Sequence, residues 1–167
     1  RTFRDIGKSI LQIHSVFDEL KVQSGDKIAL LGKNSTNWAI SYLSIVTYGA
    51  IVVPILSDFH TKDIAHILKH SDSIILFSDE NLFDDLESKS ISNLQAAISL
   101  DNFECLHTEK KKTLTKISKA KESNQFQDIS VEKFSLPNVP NDKLASISYT
   151  SGTTGFSKGV VTTHNNL

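Results

Sequence analysis

Residues 27–55 read KIALLGKNSTNWAISYLSIVTYGAIVVPI, and this stretch decides the fold. Its first part, 27–32, is a short apolar run that predicts a buried strand. Residues 34–36 are Asn, Ser and Thr, which are typical helix N-caps, and Gly49 is a typical helix C-terminus. Residues 51–55 form a second apolar run. The stretch therefore indicates a strand–helix–strand unit.

The same alternation continues downstream. Helices are predicted for 61–70 and 79–89, and strands for 73–78 and 94–100, from helical spacing of apolar residues and from short apolar runs. Strands that alternate with amphipathic helices in this way are typical of parallel sheets. We therefore predict the α/β class, with a parallel sheet built from βαβ units and with helices on both faces.

Upstream of the first unit, apolar residues recur at helical spacing. They are Phe3, Ile6, Ile10, Ile13, Phe17 and Leu20. Thr2 and Asp5 resemble a capping box in which Asp replaces the usual Glu. We therefore predict an amphipathic helix that begins near Thr2 and ends near the turn signal at 24–26.

The composition excludes several classes of protein. The 167 residues include 18 Lys and Arg and 19 Asp and Glu, whereas a nucleic-acid-binding domain would carry a clear basic excess. Cys105 is the only cysteine, so an internal disulfide is excluded. The longest apolar run, 50–56, is too short to span a bilayer, and no signal peptide is found at the start. A cytoplasmic protein is expected.

Residues 107–133 are polar and rich in Lys, Ser and Glu. Leu114 and Ile117 can anchor one exposed helix there, and most of the stretch is expected to form a long surface connection. The cluster 110–112, three lysines, is interpreted as a solvated patch.

The stretch that carries chemistry is 144–161, LASISYTSGTTGFSKGVV. An apolar strand leads into a loop rich in glycine, serine and threonine that also holds Lys158. Glycines let backbone N–H groups approach a phosphate closely, and the hydroxyls and Lys158 add donors and positive charge. The loop is therefore a candidate phosphate site, although a glycine-rich hairpin without a ligand would share its S-G-T-T-G core.

Two widespread phosphate loops do not fit this stretch. A Walker A loop needs glycine directly before its lysine and a hydroxyl residue directly after it, where this chain has Ser157 and Gly159. The dinucleotide fingerprint G-x-G-x-x-G needs a spacing that Gly152, Gly155 and Gly159 do not have.

Residues 149–160, YTSGTTGFSKGV, resemble the phosphate-binding signature of the adenylate-forming superfamily, which includes acyl-CoA synthetases, peptide-synthetase adenylation domains and beetle luciferases. Ser157 stands where the family usually has proline, a change that affects only local backbone stiffness. Residues 163–167, THNNL, are similar to the family's T-H-x-N-L, and 25–30, GDKIAL, to its G-D-x-V-A strand. Residues 48–55, YGAIVVPI, look more like bacterial long-chain fatty-acid CoA ligases than peptide synthetases.

This resemblance implies a reaction and a site. A fatty acid would attack the α-phosphate of ATP, and coenzyme A would take the acyl group from the resulting acyl-adenylate, usually with Mg²⁺ assisting. The residues that would grip the β- and γ-phosphates are Thr150, Ser151, Gly152, Thr153, Thr154, Gly155 and Lys158. The alternatives are an adenylation enzyme of another branch, such as a peptide synthetase or an aryl or short-chain acid ligase, or a non-catalytic α/β module that binds a protein.

The resemblance also implies a partial N-terminal AMP-binding domain over 1–167, with a polar connection at about 107–133 and the phosphate-binding loop at 150–159. Because the chain opens at Arg1 and contains no Met, its natural N-terminus is expected to be missing. The adenine pocket, metal-binding acid and catalytic lysine are expected outside the chain, which alone should be inactive. Peripheral membrane contact is compatible with the family. The isolated chain is expected to self-associate through the end that contains Tyr149 to Leu167, where 160–163 form a β-branched strand edge.

A metal site is the main competing interpretation. His66 and His70 lie four apart on a predicted helix, with Asp63 one turn earlier, and could share a metal ion. The Glu of H-E-x-x-H is absent, however, and Lys62 and Lys69 would repel a cation. A solvated helix face is the preferred interpretation, and no metal-binding residue is assigned.

Aromatic residues and one further histidine complete the candidates. Trp38 and Tyr42 could stack on a ligand, but their spacing favours core packing. His164 could act as a base beside the loop, but the sequence supplies no partner that would orient it, so no catalytic role is assigned.

Overall fold

The computed structural model describes residues 2–108, 110–122, 134–150 and 158–167. Its strands are β1 Lys27–Leu31, β2 Ile51–Ile55, β3 Ile75–Ser78, β4 Ala96–Ser99, β5 Cys105–His107, β6 Leu144–Thr150 and β7 Lys158–Thr163. They form one sheet in the order β5-β4-β3-β1-β2-β6-β7. The five strands from β4 to β6 in that order run parallel, and β5 and β7 pair antiparallel at the two edges. The predicted α/β class and the parallel neighbours β1, β2 and β3 are confirmed.

Helices cover both faces of this sheet. They are α1 Phe3–Leu20, α2 Thr36–Tyr48, α3 Thr61–His70, α4 Glu80–Asp84, α5 Ser88–Ile91 and α6 Lys111–Glu122, and a short 3-10 helix spans His164–Asn166. Successive strand residues point to opposite faces. Ile28 and Leu30 of β1 accordingly pack with α1, α2 and α6, whereas Ala29 and Leu31 pack with α3 and α5.

The path of the chain through the sheet explains its handedness. Helix α2 carries the chain from β1 to its neighbour β2 on one face, and α3 carries it back past β1 to β3 on the other face. Reversing both the direction and the face leaves the hand of the crossover unchanged. Both connections therefore share one hand, as the strong preference for right-handed βαβ units leads us to expect.

The ends of α1 follow local chemistry. Thr2 and Asp5 form the predicted capping box, in which Asp5 Oδ2 accepts from the Thr2 backbone N–H at 2.7 Å. The helix ends at Leu20 rather than near 24–26, because Lys21 adopts the left-handed φ of 59° and its N–H bonds to the Asp18 carbonyl. Phe3 lies in the first turn, which no described element covers, and is 95% exposed.

The prediction of a single helix over 79–89 is wrong. It is divided into α4 and α5, and Asp84, Asp85 and Glu87 surround the break. Negative side chains at the C-terminal end of a helix oppose its macrodipole, which favours termination there.

Within the polar stretch 107–133, the predicted helix is present as α6, which packs on α1. Ile117 is 2% exposed and anchors it, and the Lys116 ammonium donates to the Glu19 carbonyl oxygen. Leu114 was expected to be a second anchor, but it lies on the outer side of the helix and is 45% exposed.

Candidate phosphate-binding site

Strands β6 and β7 form the two sides of the candidate phosphate site. Thr150, the last residue of β6, lies opposite Lys158, the first residue of β7, and both side chains are exposed. The two residues therefore stand at the base of the intervening loop. The other predicted phosphate ligands, Ser151, Gly152, Thr153, Thr154 and Gly155, lie outside the described residues.

The loop begins at the carboxyl end of a parallel strand. Strand β6 pairs parallel with β2 through Val52 and Ser146. In open α/β sheets, ligands bind in the crevice outside the carboxyl ends of the strands. Thr150 and Lys158 are therefore at the edge where this class of fold binds nucleotides.

Close packing requires glycine at position 159, directly after Lys158. Gly159 lies opposite Tyr149, and a Cβ at Gly159 would come within 2.9 Å of Ile147 Cγ2 and 3.4 Å of Tyr149 Cζ. Ile147 is β-branched, so its methyl group has little freedom to move aside. The sequence indicated Gly159 only as part of the loop, whereas the structure shows that its lack of a side chain leaves space for the Ile147 methyl group.

Tyr149 ties the loop to helix α3. Its ring is buried, and its hydroxyl oxygen is hydrogen-bonded to His70 Nδ1 at 2.7 Å. Burial raises the pKa of Tyr149, and the charge of Asp72 raises it further, so the hydroxyl stays protonated and can donate. His70, interpreted above as part of a solvated helix face, is thus a bonding partner of the strand that enters the loop.

The segment that leaves β7 is fastened beside the start of β6. The backbone N–H of His164 donates to the Lys143 carbonyl oxygen at 2.9 Å, and that of Asn165 donates to the Asn141 carbonyl oxygen at 2.9 Å. Within the described part of the chain, His164 Nε2 is buried and has no hydrogen-bond partner. The backbone contacts of His164 and Asn165 fix the end of the hairpin remote from the loop.

The aromatic pair on α2 packs as predicted. Trp38 and Tyr42 stack with their ring centroids 5.5 Å apart, and both rings are half-buried against the core. Burial raises the pKa of Tyr42, while its hydrogen bond to the Ser146 side chain opposes that shift. The pair therefore links α2 to β6.

Neither a metal cluster nor a membrane span is found in the described ranges. No three of their His, Cys, Asp or Glu side chains are grouped closely enough to hold a metal ion. We assign no metal-binding residue among them. No described helix has the length and apolar character needed to cross a membrane.

Comparison with known proteins gives a consistent family. The chain matches the family described as AMP-binding enzyme over residues 1–167. It is 32% identical over 181 residues to the long-chain-fatty-acid--[acyl-carrier-protein] ligase AEE15, chloroplastic, of Arabidopsis thaliana, covering 99% of this chain and 24% of that protein. It is 28% identical to the long-chain-fatty-acid--CoA ligase 6 of Mus musculus, covering 97% of this chain and 23% of that protein. The chain thus spans about a quarter of the length of these relatives.

Solved structures share the fold. The anthranilate CoA ligase AuaEII in complex with anthranoyl-AMP superposes with a TM-score of 0.75 at 22% identity, over 98% of this chain and 29% of that one. The N-terminal domain of FACL13 from Mycobacterium tuberculosis superposes with a TM-score of 0.70 at 23% identity, over 98% of this chain and 37% of that one.

Proposed function

This chain belongs to the AMP-binding enzyme family, and we propose on that premise that its protein activates a long-chain fatty acid with ATP. The acid carboxylate attacks the α-phosphate, pyrophosphate leaves, and the acyl-adenylate passes its acyl group to the thiol of coenzyme A. The long-chain ligases of Arabidopsis thaliana and Mus musculus among its relatives support this substrate class.

The observation that carries the proposal is the pairing of Thr150 with Lys158 at the carboxyl edge of the sheet. A departing polyphosphate needs positive charge and hydrogen-bond donors placed in advance. Lys158 has an exposed side chain at the base of the loop, and Thr150 carries a hydroxyl on the opposite strand. We assign both to the β- and γ-phosphates of ATP, together with Ser151, Gly152, Thr153, Thr154 and Gly155.

The domain assignment follows from the same premise. We assign residues 1–167 to part of an N-terminal AMP-binding domain, with the loop 150–159 as its phosphate-binding element. Divalent Mg²⁺ would supply further neutralisation of the polyphosphate when bound with ATP.

The acyl acceptor has a second candidate. The Arabidopsis relative is named as a ligase that acts on acyl-carrier protein, so a phosphopantetheine thiol on a carrier protein is the alternative to coenzyme A. The same relative is named as chloroplastic, and the cytoplasmic location expected above remains a proposal.

The test is ATP–pyrophosphate exchange by the full-length protein, supplied with palmitate, benzoate or leucine as the acid. Exchange that depends on palmitate supports the proposal, and exchange with leucine or benzoate alone would place the protein in another branch. Adding either coenzyme A or acyl-carrier protein in a single-turnover reaction then identifies the thiol that consumes the adenylate. No exchange with any acid would contradict the proposed activation step.

A further inference from the structure

A polar cavity lies between α3 and α5. Its volume is about 330 Å³. The polar side chains that line it are those of Lys62, His66, Lys69, Ser73, Lys89, Ser90 and Asn93. Leu68 and Leu94 also line it. None of its lining residues belongs to β6 or β7, the strands that carry Thr150 and Lys158.

The charged side chains that line this cavity are all positive. Lys62, Lys69 and Lys89 contribute three ammonium groups, and no Asp or Glu is among the lining residues. None of these lysines forms an ion pair with a carboxylate in the described part of the chain. A concave surface lined by one sign of charge raises the local concentration of the opposite ion. The cavity is therefore built to attract an anion.

The number of charges distinguishes among anions. Lysine neutralises phosphate as a compact point charge, and arginine binds phosphate as well as carboxylate through two parallel bonds, so the type of cation alone does not separate the two anions. The cavity has lysines and no arginine, and Ser90 and Asn93 add neutral donors. Three positive charges suit a dianion better than a singly charged carboxylate. The volume is at the lower end of the range of small-molecule sites and too small for a protein segment.

From these observations we propose that the cavity between α3 and α5 binds the phosphate group of a small phosphorylated molecule. The ammonium groups of Lys62, Lys69 and Lys89 neutralise the phosphate, and the hydroxyl of Ser90 and the amide of Asn93 donate to its oxygens. This site goes beyond the proposed activation of a fatty acid and does not depend on it.

The test measures phosphate binding by the full-length protein in a Lys158→Ala background, which weakens binding at the loop. Inorganic phosphate and glycerol phosphate are titrated separately by calorimetry, because the two probes distinguish a free ion from a phosphate monoester. Each of Lys62→Gln, Lys69→Gln and Lys89→Gln should weaken binding by about two- to fivefold, the range of exposed ion pairs. The triple variant should abolish it, and affinity should fall as salt is added.

Two controls make the result decisive. Lys112→Gln removes the same charge from α6, on the opposite face of the sheet, and should leave the affinity unchanged. Replacing all three cavity lysines by arginine keeps the charge and should retain the phosphate binding that the triple glutamine variant loses. The proposal is overturned if the Lys158→Ala protein binds neither probe. It is also overturned if the triple glutamine variant binds as tightly as its parent, or if the triple arginine variant loses binding as fully as the triple glutamine variant. Because the readout is binding rather than exchange of pyrophosphate, failure here leaves the proposed function standing.

Discussion

The hydroxyl oxygen of Tyr149 lies 2.7 Å from Nδ1 of His70, and this hydrogen bond joins helix α3 to the strand that enters the phosphate loop. The two rings also meet edge to face, with centroids 5.8 Å apart. Tyr149 is followed directly by Thr150, so the contact fixes the backbone one residue before the first proposed phosphate ligand. A group held in this way presents its neighbours to a ligand without a further cost in ordering.

A double-mutant cycle between these residues should reveal their coupling. Tyr149→Phe and His70→Ala should each lower the free energy of unfolding, and the double variant should lose less than the sum of the two. The expected coupling is about 0.5–1.5 kcal/mol, the net value of one hydrogen bond. Denaturant unfolding of all four proteins measures it. Strict additivity would show that the bond contributes nothing to stability.

Gly159→Ala should destabilise the hairpin. The new methyl group would meet Ile147 Cγ2 at 2.9 Å, and insertion of a methyl group into a closely packed site costs about 1–3 kcal/mol. Gly7→Ala is the matched control. Gly7 lies within α1, where alanine is favoured over glycine by up to about 1 kcal/mol. A Cβ at Gly7 would lie 3.1 Å from the ring of Phe134. Thermal unfolding should therefore show a loss for Gly159→Ala and little change or a gain for Gly7→Ala. Equal effects would contradict the packing argument.

His14 should make stability depend on pH. Its side chain is buried, and Nε2 donates to the Ser44 carbonyl oxygen at 2.9 Å. Burial lowers the pKa of His14 from the ordinary 6.5, although the bond to Ser44 and the charge of Asp18 oppose the shift. Because the folded state resists protonation more than the unfolded state does, this stability is fully present above about pH 6.5 and declines as pH falls through that value toward the lowered pKa.

The experiment compares denaturant unfolding of wild type and His14→Phe between about pH 8 and pH 5. The variant has no imidazole to protonate at this position, so its stability should fall less steeply below about pH 6.5. His60→Gln replaces an exposed histidine that makes no side-chain cap bond at the start of α3, and it should follow wild type. A His14→Phe profile as steep as that of wild type would exclude His14 as the source of the acid sensitivity.

Strand β7 should promote association of the 167-residue chain. It is an edge strand of the described sheet, and Val160 and Val161 are 55% and 58% exposed. Unpaired edges with apolar, β-branched side chains favour strand addition, and an inserted lysine opposes it. Val161→Lys should therefore shift the chain toward monomer in light scattering, whereas Leu114→Lys on α6 should not. A monomeric wild-type chain at high concentration would contradict the prediction.

The sequence was most informative where local pattern and tertiary packing agree. Helix α3 was predicted with the bounds the structure has, because Ile64, Ile67 and Leu68 recur at helical spacing and all three are buried. The helix end at Gly49 was also predictable, since that residue adopts a φ of 89° that favours glycine. By contrast, Lys21 ends α1 in the same left-handed region, and lysine gives no such signal.

Contacts between residues far apart in the sequence could not be predicted from the spacing of residues. His70 and Tyr149 are 79 positions apart, and only the placement of α3 beneath β6 brings them together. The same holds for the cavity lysines, since Lys62 and Lys69 lie on α3 and Lys89 lies on α5. Thr150 and Lys158 were predicted as phosphate ligands from their motif, and their pairing across β6 and β7 is what the structure adds.

The central claim is that Lys158 binds the phosphates of ATP, and ATP–pyrophosphate exchange by the full-length Lys158→Ala variant tests it most directly. Loss of a charged hydrogen-bonding partner costs about 1.5–3 kcal/mol, or roughly 10- to 150-fold in kcat/KM. Thermal stability should stay close to wild type because the side chain is exposed, and Lys143→Ala, an exposed lysine just before β6, should exchange normally. A Lys158→Ala enzyme with reduced exchange and an unchanged melting temperature is the predicted result. Exchange at the wild-type rate would contradict the account.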